Sequence, residues 1–386
     1  MKALRKYLDK IKPNFEKGGK FEKLHSTFDA IETFLYVPKK VTFKGSHIRD
    51  SIDMKRTMSM VLIALMPALL FGMWNVGYQH SLSIGETNNI LDNFIFGAIK
   101  VIPLIAVSYI TGLGIEFIFA QYRGHEVNEG FLVSGMLIPM IVPVDIPLWM
   151  LSVATAFAVI FGKEVFGGTG MNIFNPALIA RAFIFFAYPA QITGDKIWIA
   201  GLTEGKGIVD GFSGATPLGN WGQNIPDHTS LMDMFIGIMP GSIGETSKLA
   251  ILIGAAFLII TGIGSWRIML STILGAVFMT LIFNTFAAND YMKVDPLTHI
   301  LMGGFLFGAV FMATDPVSAS QTNKGKYIYG FLLGIFAILI RVFNPAYPEG
   351  MMLAILLMNT FAPLIDYYVV EANINRRLKR AKKAVN

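Results

Sequence analysis

The tetrapeptide Phe-Asn-Pro-Ala stands at residues 174–177 and again at residues 343–346, which is 169 residues further along the chain. Asn before Pro is typical of a helix start, because the Asn side chain caps the first turn and Pro suits the first helical position. We expect the first copy to open the fifth of ten apolar segments and the second copy to open the tenth. This matching placement predicts an internal repeat, and a chance helix-start tetrapeptide is the alternative.

The composition is that of a membrane protein with many spans. Hydrophobic residues make up 53% of the 386 residues and charged residues only 15%, against roughly 25% charged in an ordinary soluble protein. These proportions leave little room for a large soluble domain. The chain has no cysteine, which excludes a disulfide-stabilised scaffold and any zinc or iron–sulfur centre held by thiolates.

Ten apolar runs are candidates to cross the hydrocarbon core of a bilayer. They are expected at residues 57–78, 94–120, 130–143, 148–162, 175–189, 248–264, 267–287, 297–313, 327–343 and 350–370. The third to fifth runs are short, and several runs contain Pro or Gly, as do the discontinuous helices that build sites in transporters. The pattern predicts an all-α polytopic fold of two five-helix repeats. Because five is odd, the second repeat would be inverted in the membrane.

The charge distribution predicts how the chain is organised. Residues 1–56 and 371–386 hold 20 of the 32 Lys and Arg residues. Basic flanks are typical of the cytoplasmic side of a membrane protein, although basic tails also bind nucleic acid. We expect both termini in the cytoplasm and five parts: a cytoplasmic N-terminal segment (1–56), a first repeat (57–189), an external loop (190–247), a second repeat (248–370) and a basic cytoplasmic tail (371–386).

The predicted external loop contains Asp-Gly-Phe-Ser-Gly-Ala-Thr-Pro at residues 210–217. Small residues flank the hydroxyl of Thr216, so a transferase could reach it, and Asp210 could place a metal or orient the turn. A hydroxyl acceptor for covalent modification is one interpretation, and a plain surface turn is the other. The loop has one His, His228, without an evident partner for a Ser-His-Asp hydrolase.

Several ionisable residues fall inside the apolar runs or at their ends. Glu116, Asp315 and Asp366 are acidic, whereas Arg181 and Arg341 are basic. Charges at membrane depth are usually paired or line an ion path, and carboxylates are natural ligands of a small hard cation. Two interpretations stay open: a cation path, or Arg–carboxylate pairs that only fix the helix packing. Asp366, near a helix end, could also reach the membrane surface.

The link between the fourth and fifth runs, residues 167–176, is rich in Gly and Asn. Glycines let the backbone approach a flat or anionic group, and the amides of Asn172 and Asn175 can both donate and accept. A ring with several carbonyls, such as an isoalloxazine or a quinone, would suit this link, and a flexible turn with an N-cap Asn is the alternative. No P-loop is present and no strand precedes these glycines, so we expect no NADH site on this chain.

Seven motifs together resemble a known family. They are SHIRDS (46–51), HEVNEG (125–130), KEVFGGTG (163–170), DGFSGAT (210–216), PGSIGE (240–245), ATDPVSAS (313–320) and NPAYPEGM (344–351). On these motifs the chain is similar to the B-type membrane subunits of the Na⁺-translocating NADH:quinone oxidoreductase and to the related D-type subunits of Rnf complexes. The likeness runs from Phe15 to the basic cluster at Arg376, and the N-terminal extension favours the B-type subunits.

The resemblance implies two flavins and a fold. FMN would be attached to Thr216 through a phosphoester bond on the external side, and riboflavin would lie near the Gly-rich link. The fold would resemble that of urea transporters, with two inverted five-helix halves. The residues expected at the flavins are Asp210, Ser213, Gly214, Thr216, Asn172 and Asn175.

The resemblance also implies a quinone region and a cation path. The quinone region would include Gly112 and Gly114, although the adjacent glycine pair of the family reads Gly-Leu-Gly here. The acidic residues implicated in the family match Asp29, Glu116, Asp315 and Asp366. Asp29 stands where a Glu is expected, which shortens the side chain and keeps the charge.

The resemblance therefore implies a subunit of a Na⁺-pumping NADH:quinone oxidoreductase in a bacterial inner membrane. It would pass electrons through its flavins toward quinone, with NADH bound on another subunit and a flavin transferase needed for maturation. Two alternatives remain. One is a passive channel or solute transporter of the urea-transporter fold, and the other is the D-type subunit of an Rnf complex, which works with ferredoxin.

Overall fold

The computed structural model describes residues 2–16, 18–36, 44–46, 54–124, 130–205, 209, 213–223, 225–227, 229–344 and 349–385. Every regular element in these ranges is helical. The α-helices are α1 (Lys2–Ile11), α2 (His25–Leu35), α3 (Met54–Ile84), α4 (Ile90–Arg123), α5 (Phe131–Met140), α6 (Leu148–Val159), α7 (Pro176–Ala187), α8 (Pro217–Gly222), α9 (Leu231–Ile236), α10 (Lys248–Ile260), α11 (Trp266–Thr285), α12 (Pro296–Leu301), α13 (Phe305–Phe307), α14 (Asn323–Phe343) and α15 (Met351–Val385). Two π-helical turns, Ile160–Glu164 and Gly308–Met312, extend α6 and α13.

Five of the described helices are long and apolar enough to cross a membrane: α3, α4, α11, α14 and α15. Three further apolar helices, α5, α7 and α10, have 10 to 13 residues and are too short to cross alone. This mixture of long and short apolar helices is the one expected of a polytopic membrane protein. Short helices at membrane depth are tolerated where protein surrounds their ends. The end of α5 (Pro139, Met140) and the start of α7 (Pro176, Ala177) are buried in this way.

The first two spans are longer than predicted. We expected a loop at 79–93, but α3 continues to Ile84 and α4 begins at Ile90. The polar side chains of this stretch form hydrogen bonds with one another inside the protein. The buried Ser81 hydroxyl donates to Asn93 Oδ1 at 2.7 Å and accepts from Asn88, so these polar residues stabilise helix ends rather than a loop.

The predicted eighth span, 297–313, is wrong as a continuous helix. Helix α12 ends at Leu301, and α13 begins only at Phe305. Between them Gly303 adopts a positive φ of 58°, which favours Gly. The carbonyl groups at this break are satisfied by buried side chains: Lys248 donates to Gly303 O at 3.0 Å, and Arg341 donates to the carbonyls of His299 and Met302.

The two Phe-Asn-Pro-Ala copies do not play the same role. Asn175 caps α7, with its side chain accepting from Ala177 N at 3.0 Å, as predicted. Asn344 instead ends α14, and α15 begins seven residues later at Met351. The prediction that the second copy opens the tenth span is therefore wrong. Residues 345–348 lie outside the described part, and the turn into α15 is made by Gly350 at a φ of 66°.

The helix contacts are similar in two parts of the chain, which correspond to the predicted repeats at residues 57–189 and 248–370. Helix α4 packs on α6 and α6 on α7, and in the same way α11 packs on α14 and α14 on α15. Helix α3 packs on α10, and α7 touches α15, so the two parts meet along these helices. Glycines allow the close approaches, because a Cβ at Gly97 would collide with the carbonyl oxygen of Met73, and one at Gly275 with that of Phe331.

The terminal segments are helical where they are described. The amphipathic stretch expected around Phe28 forms α2, and Glu32 of α2 is paired with Arg5 and Lys12, each at 2.8 Å. The last span was predicted to end at residue 370, but α15 runs to Val385. Its basic last turns, including Arg376 and Lys383, are exposed.

Candidate functional site

Thr216 is the N-cap residue of α8. Its Oγ1 accepts a hydrogen bond from Gly219 N at 3.0 Å, so the residue has a structural role whether or not it is modified. Gly214 is buried, and a Cβ there would collide with Leu202 and lie 2.7 Å from Asp195 O. Only Gly can occupy this position without displacing the chain. Ser213 is exposed, and Asp210 lies outside the described residues.

A cavity of about 160 Å³ lies beside Thr216. Apolar and aromatic side chains form part of its wall, among them Trp198, Leu218 and Met239. The charged side chains in the wall are Asp195, Arg181, Glu245 and Glu349. The cavity therefore combines apolar walls with a buried cation close to the predicted attachment point.

Arg181 is the centre of a buried ion-pair cluster in this cavity. It is on α7, and its guanidinium is paired with Glu245 at 2.9 Å and with Glu349. Glu245 also accepts from the Ser242 hydroxyl. Each of the three side chains is at most 9% exposed. The cluster joins α7 to the segments that precede α10 and α15, so it connects the two parts of the chain.

We singled out Arg181 from the sequence but missed both of its partners. Glu245 and Glu349 each lie just before an apolar helix, inside two of the motifs that carry the family resemblance. A lone acidic residue between small residues, directly before a membrane helix, was the available signal. Their convergence on one Arg depends on tertiary structure, because Arg181 is 64 residues from Glu245 and 168 from Glu349.

A second cavity, of about 100 Å³, lies at the other end of α3. Its lining includes Lys163, Asn172, Asn175, Thr314 and Asp315, together with Thr57 near the start of α3. The first cavity lies near the end of α3, where Asn75 donates to Met239 O at 3.0 Å. From Thr57 to Asn75 the helix rises by about 27 Å, so the two cavities lie near opposite ends of a membrane span.

The Asn side chains of the Gly-rich link also support the backbone there. Asn172 Nδ2 donates to Phe174 O at 2.9 Å, and Asn175 Oδ1 accepts from Ala177 N. Both residues are buried and line the second cavity. Gly167, Gly168 and Gly170 all adopt positive φ values in the preceding turn, a conformation that other residues rarely adopt.

Glu116 is bound to Lys163. The two side chains form an ion pair, and each is only 4% exposed. Lys163 is in the π-helical turn Ile160–Glu164, and such turns often occur at functional sites. The next residue, Glu164, is paired with Arg123 at 3.3 Å. Of the two interpretations that the sequence left open for Glu116, the structure shows the ion pair directly, and the pair partner is a Lys rather than an Arg.

Asp315 is in the second cavity, just after the π-helical turn Gly308–Met312. Its carboxylate accepts from Val317 N at 3.1 Å and from the Ser318 hydroxyl at 2.9 Å. Loss of solvation raises the pKa of the Asp315 carboxyl above its ordinary value, and these two hydrogen bonds oppose the shift. The side chain therefore holds a proton more readily than an exposed Asp does.

The other predicted cation-path residues lie elsewhere. Asp366, on α15, accepts from the Ser320 and Thr322 hydroxyls and from the backbone N of Gln321 and Thr322. It thereby fixes α15 against the start of α14. Asp29 is half-buried on α2, which packs against α4. Neither residue is among the described residues that line the two cavities.

The two glycines of the predicted quinone region differ in their surroundings. A Cβ at Gly112 would collide with the ring of Phe131, so α4 and α5 approach closely there. A Cβ at Gly114 would have no described atom within 4 Å apart from its own helix and chain neighbours. Gly112 is one turn from Glu116 on the same helix. The structure thus places Gly112 against Phe131, and Gly114 beside open space.

Each cavity combines hydrogen-bonding groups with apolar surface. In the first cavity, the Arg181 guanidinium can hold an anionic or carbonyl oxygen, and apolar side chains can cover a ring. In the second cavity, two Asn amides and the Lys163 ammonium can bind ring carbonyls, and Val61, Val133 and Phe311 add apolar surface. Among the residues predicted for the flavins, Thr216 belongs to the first site and Asn172 and Asn175 to the second.

Comparison with known proteins places the chain in a family. Residues 41–375 match the model of the NQR2, RnfD, RnfE family. A protein of Ectopseudomonas mendocina (strain ymp), described as the B subunit of the Na(+)-translocating NADH-quinone reductase, is 49% identical, and the match covers 98% of this chain and 99% of that protein. Proteins of Chromohalobacter salexigens and Azotobacter vinelandii with the same description are 46% and 47% identical over 98% of this chain and 97% and 99% of their own lengths. The family resemblance inferred from the motifs is thereby confirmed, and the chain belongs to the NQR2, RnfD, RnfE family.

Proposed function

We propose that this chain is the B subunit of a Na⁺-translocating NADH-quinone reductase, as the names of its relatives describe. Identity of nearly half over almost the whole of both chains supports this function. It implies a membrane complex of several subunits. The absence of a P-loop or dinucleotide fingerprint in the sequence agrees with an NADH site on another subunit.

Thr216 carries the covalent FMN in this proposal. The observation that supports the assignment best is the cavity beside it, which contains the buried Arg181 guanidinium. When bound, the flavin supplies the capacity to accept and donate electrons. The chain's own part is to hold it: Thr216 fixes the attachment point, Gly214 brings the loop close to Asp195, and the Arg181 guanidinium, whose charge Glu245 and Glu349 balance, supplies N–H donors in the cavity wall.

The second cavity is the riboflavin site in this proposal. Asn172, Asn175 and Lys163 would orient the ring by hydrogen bonds, and the glycines of the link allow the close approach. The neighbouring Gly112 and Gly114 on α4 are the proposed quinone region. Glu116 and Asp315, in or beside this cavity, are the acidic residues of the proposed cation path. Of the other two residues expected on that path, Asp29 lies on α2, and Asp366 fixes α15 against the start of α14.

The proposed arrangement in the membrane is that of two inverted halves in a bacterial inner membrane. The repeated contact pattern, α4 on α6 on α7 and α11 on α14 on α15, supports two equivalent halves. The basic segments at 1–56 and 371–386 support a cytoplasmic location of both termini. The loop with Thr216 would then face the external side, where the flavin transferase would act.

The test is flavin fluorescence of the denatured chain after gel electrophoresis, together with its intact mass. Wild type, Thr216→Ala and Thr193→Ala are expressed with the flavin transferase. Thr193 lines the same cavity, so Thr193→Ala is the matched control. We expect fluorescence and an FMN-sized mass increase in wild type and Thr193→Ala, and neither in Thr216→Ala. A folded wild-type chain without flavin, made beside an active transferase, would refute the proposal and favour a passive channel.

A further inference from the structure

Lys163 lies between Glu116 on α4 and the second cavity. Its ammonium pairs with Glu116 on α4, and the same side chain lines the second cavity beside Asn172, Asn175 and Asp315. It is 4% exposed, so its charge must be balanced by protein groups. Two acidic side chains are available, Glu116, which it contacts, and Asp315, which lines the same cavity.

The surroundings of Lys163 leave it able to change partner. It belongs to a π-helical turn rather than to a regular helix, and Gly162 precedes it. Glu164, its other acidic neighbour, is held by Arg123 through a side-chain contact at 3.3 Å and a bond from Arg123 Nη2 to Glu164 O at 2.8 Å. Arg123 thus balances the charge of Glu164, and the ammonium of Lys163 pairs with Glu116. A Lys side chain has a long flexible stem, which lets the ammonium move without a change in the backbone.

We propose that Lys163 is a tethered cation that competes with Na⁺ for the carboxylate of Glu116. While the ammonium is bound to Glu116, this carboxylate has no charge to offer a second cation. A negative charge that arrives in the second cavity attracts the ammonium away from Glu116, and Na⁺ then takes its place. Lys163 is therefore a positioning residue that links the charge of the cavity to cation uptake.

The inference rests on the proposed function in two respects: Glu116 belongs to the cation path, and the occupant of the second cavity becomes more negative when it accepts an electron. The electron comes from NADH through the other subunits, as the proposed activity requires. No bond is formed or broken in this chain. The ammonium and Na⁺ exchange places at Glu116, so the local charge at that carboxylate is conserved.

Binding of ²²Na⁺ to the purified complex, both oxidised and dithionite-reduced, tests the proposal without a measurement of turnover. The apparent affinity of a site with a competitor equals its intrinsic affinity multiplied by the fraction of time for which the competitor is absent. Lys163→Met removes the competitor, so it is expected to tighten Na⁺ binding to the oxidised complex by about tenfold. The difference between oxidised and reduced complex should shrink in the same variant. Lys163→Arg keeps the charge and should bind Na⁺ like wild type.

Two controls separate competition from a general loss of positive charge. Lys100→Met removes a cation from the far end of α4, where Lys100 pairs with Asp145 about 24 Å along the helix from Glu116, so its Na⁺ affinity should change by less than about twofold. Lys163→Met removes the ammonium that pairs with the buried Glu116 carboxylate, so this variant is expected to be less stable. The double variant Lys163→Met with Glu116→Gln removes both charges, and it should fold but lose the tightened Na⁺ binding.

The outcomes distinguish the inference from the proposed function. If Glu116→Gln weakens Na⁺ binding but Lys163→Met does not tighten it, Lys163 is no competitor, and the cation path stands without it. If neither variant changes Na⁺ binding while the chain still carries covalent flavin, Glu116 is not a Na⁺ ligand, and the inference fails together with that part of the cation path. Equal tightening in Lys100→Met and Lys163→Met would also overturn it.

Discussion

Arg181 and Glu349 form a buried ion pair that joins helix α7 to the segment leading into helix α15. Glu245, before α10, shares the same guanidinium at 2.9 Å. Both carboxylates depend on one cation, and all three side chains are almost completely shielded from solvent. The cluster therefore has a structural role in joining the two parts of the chain, beside its place in the wall of the first cavity.

Arg181→Met is expected to destabilise the protein. Removal of one member of a buried ion pair leaves an uncompensated charge and costs about 3–5 kcal/mol, and here two carboxylates lose their cation. Thermal unfolding of the detergent-solubilised protein measures the loss. The matched control is Lys293→Met, because Lys293 is 64% exposed and its pair with Asp290 should contribute little. Equal melting temperatures of the two variants would contradict a structural role of the cluster.

Gly112→Ala and Gly114→Ala should differ, although a single residue separates the two glycines on α4. A methyl group at Gly112 collides with the Phe131 ring, and an overpacked core costs about 1–3 kcal/mol. A methyl group at Gly114 meets open space and should leave stability unchanged. Thermal unfolding tests both. If quinone approaches α4 here, Gly114→Ala should raise the KM for quinone in the assembled complex without a loss of stability.

The sequence predicted the apolar helices well where packing and hydropathy agree. The expected bounds of the runs that became α5, α7, α10 and α11 lie within four residues of the observed ones. Prediction failed at Gln79–Ser83, because polar side chains that bond to each other inside the protein resemble a loop in the sequence. Local composition cannot distinguish a polar group that faces water from one that faces a partner 12 residues away.

The break between α12 and α13 and the Arg181 cluster were beyond sequence reasoning for another reason. The carbonyls at the break are stabilised by Lys248 and Arg341, which are 55 residues from Gly303 and 39 residues from Met302. The sequence shows an apolar run there, and its only sign of a helix end is the Gly303-Gly304 pair, which apolar helices in membranes also tolerate. The residue types of the candidate sites were predictable from motifs, but which charge pairs with which depends on the assembled helices.

Asp366→Ala should act on stability rather than on cation binding. The carboxylate accepts from the backbone N of Gln321 at 2.7 Å and of Thr322 at 3.0 Å, as well as from two hydroxyls. Loss of these hydrogen bonds at a partly exposed helix start should cost about 0.5–2 kcal/mol, because water can replace the carboxylate at some of the donors. Glu371→Ala, on an exposed site of the same helix, is the control for thermal unfolding. A weaker apparent Na⁺ affinity in an Asp366→Ala protein of normal stability would instead place Asp366 on the cation path.

Na⁺ affinity should depend on pH through Asp315. Burial raises the pKa of this carboxyl, so in the folded protein it takes up a proton at a higher pH than an ordinary Asp does. A proton and Na⁺ cannot both occupy the charged carboxylate, and the apparent Na⁺ affinity should therefore fall as the pH decreases through the raised pKa. The same shift means that burial of the charged form costs stability above that pKa, and that this cost disappears as the carboxyl is protonated. Na⁺ titrations of quinone reduction by the reconstituted complex at a series of pH values measure the effect. Asp315→Asn has no charge to titrate, so its Na⁺ affinity should be weak and independent of pH in this range; a wild-type pH dependence in Asp315→Asn would assign the effect to another group.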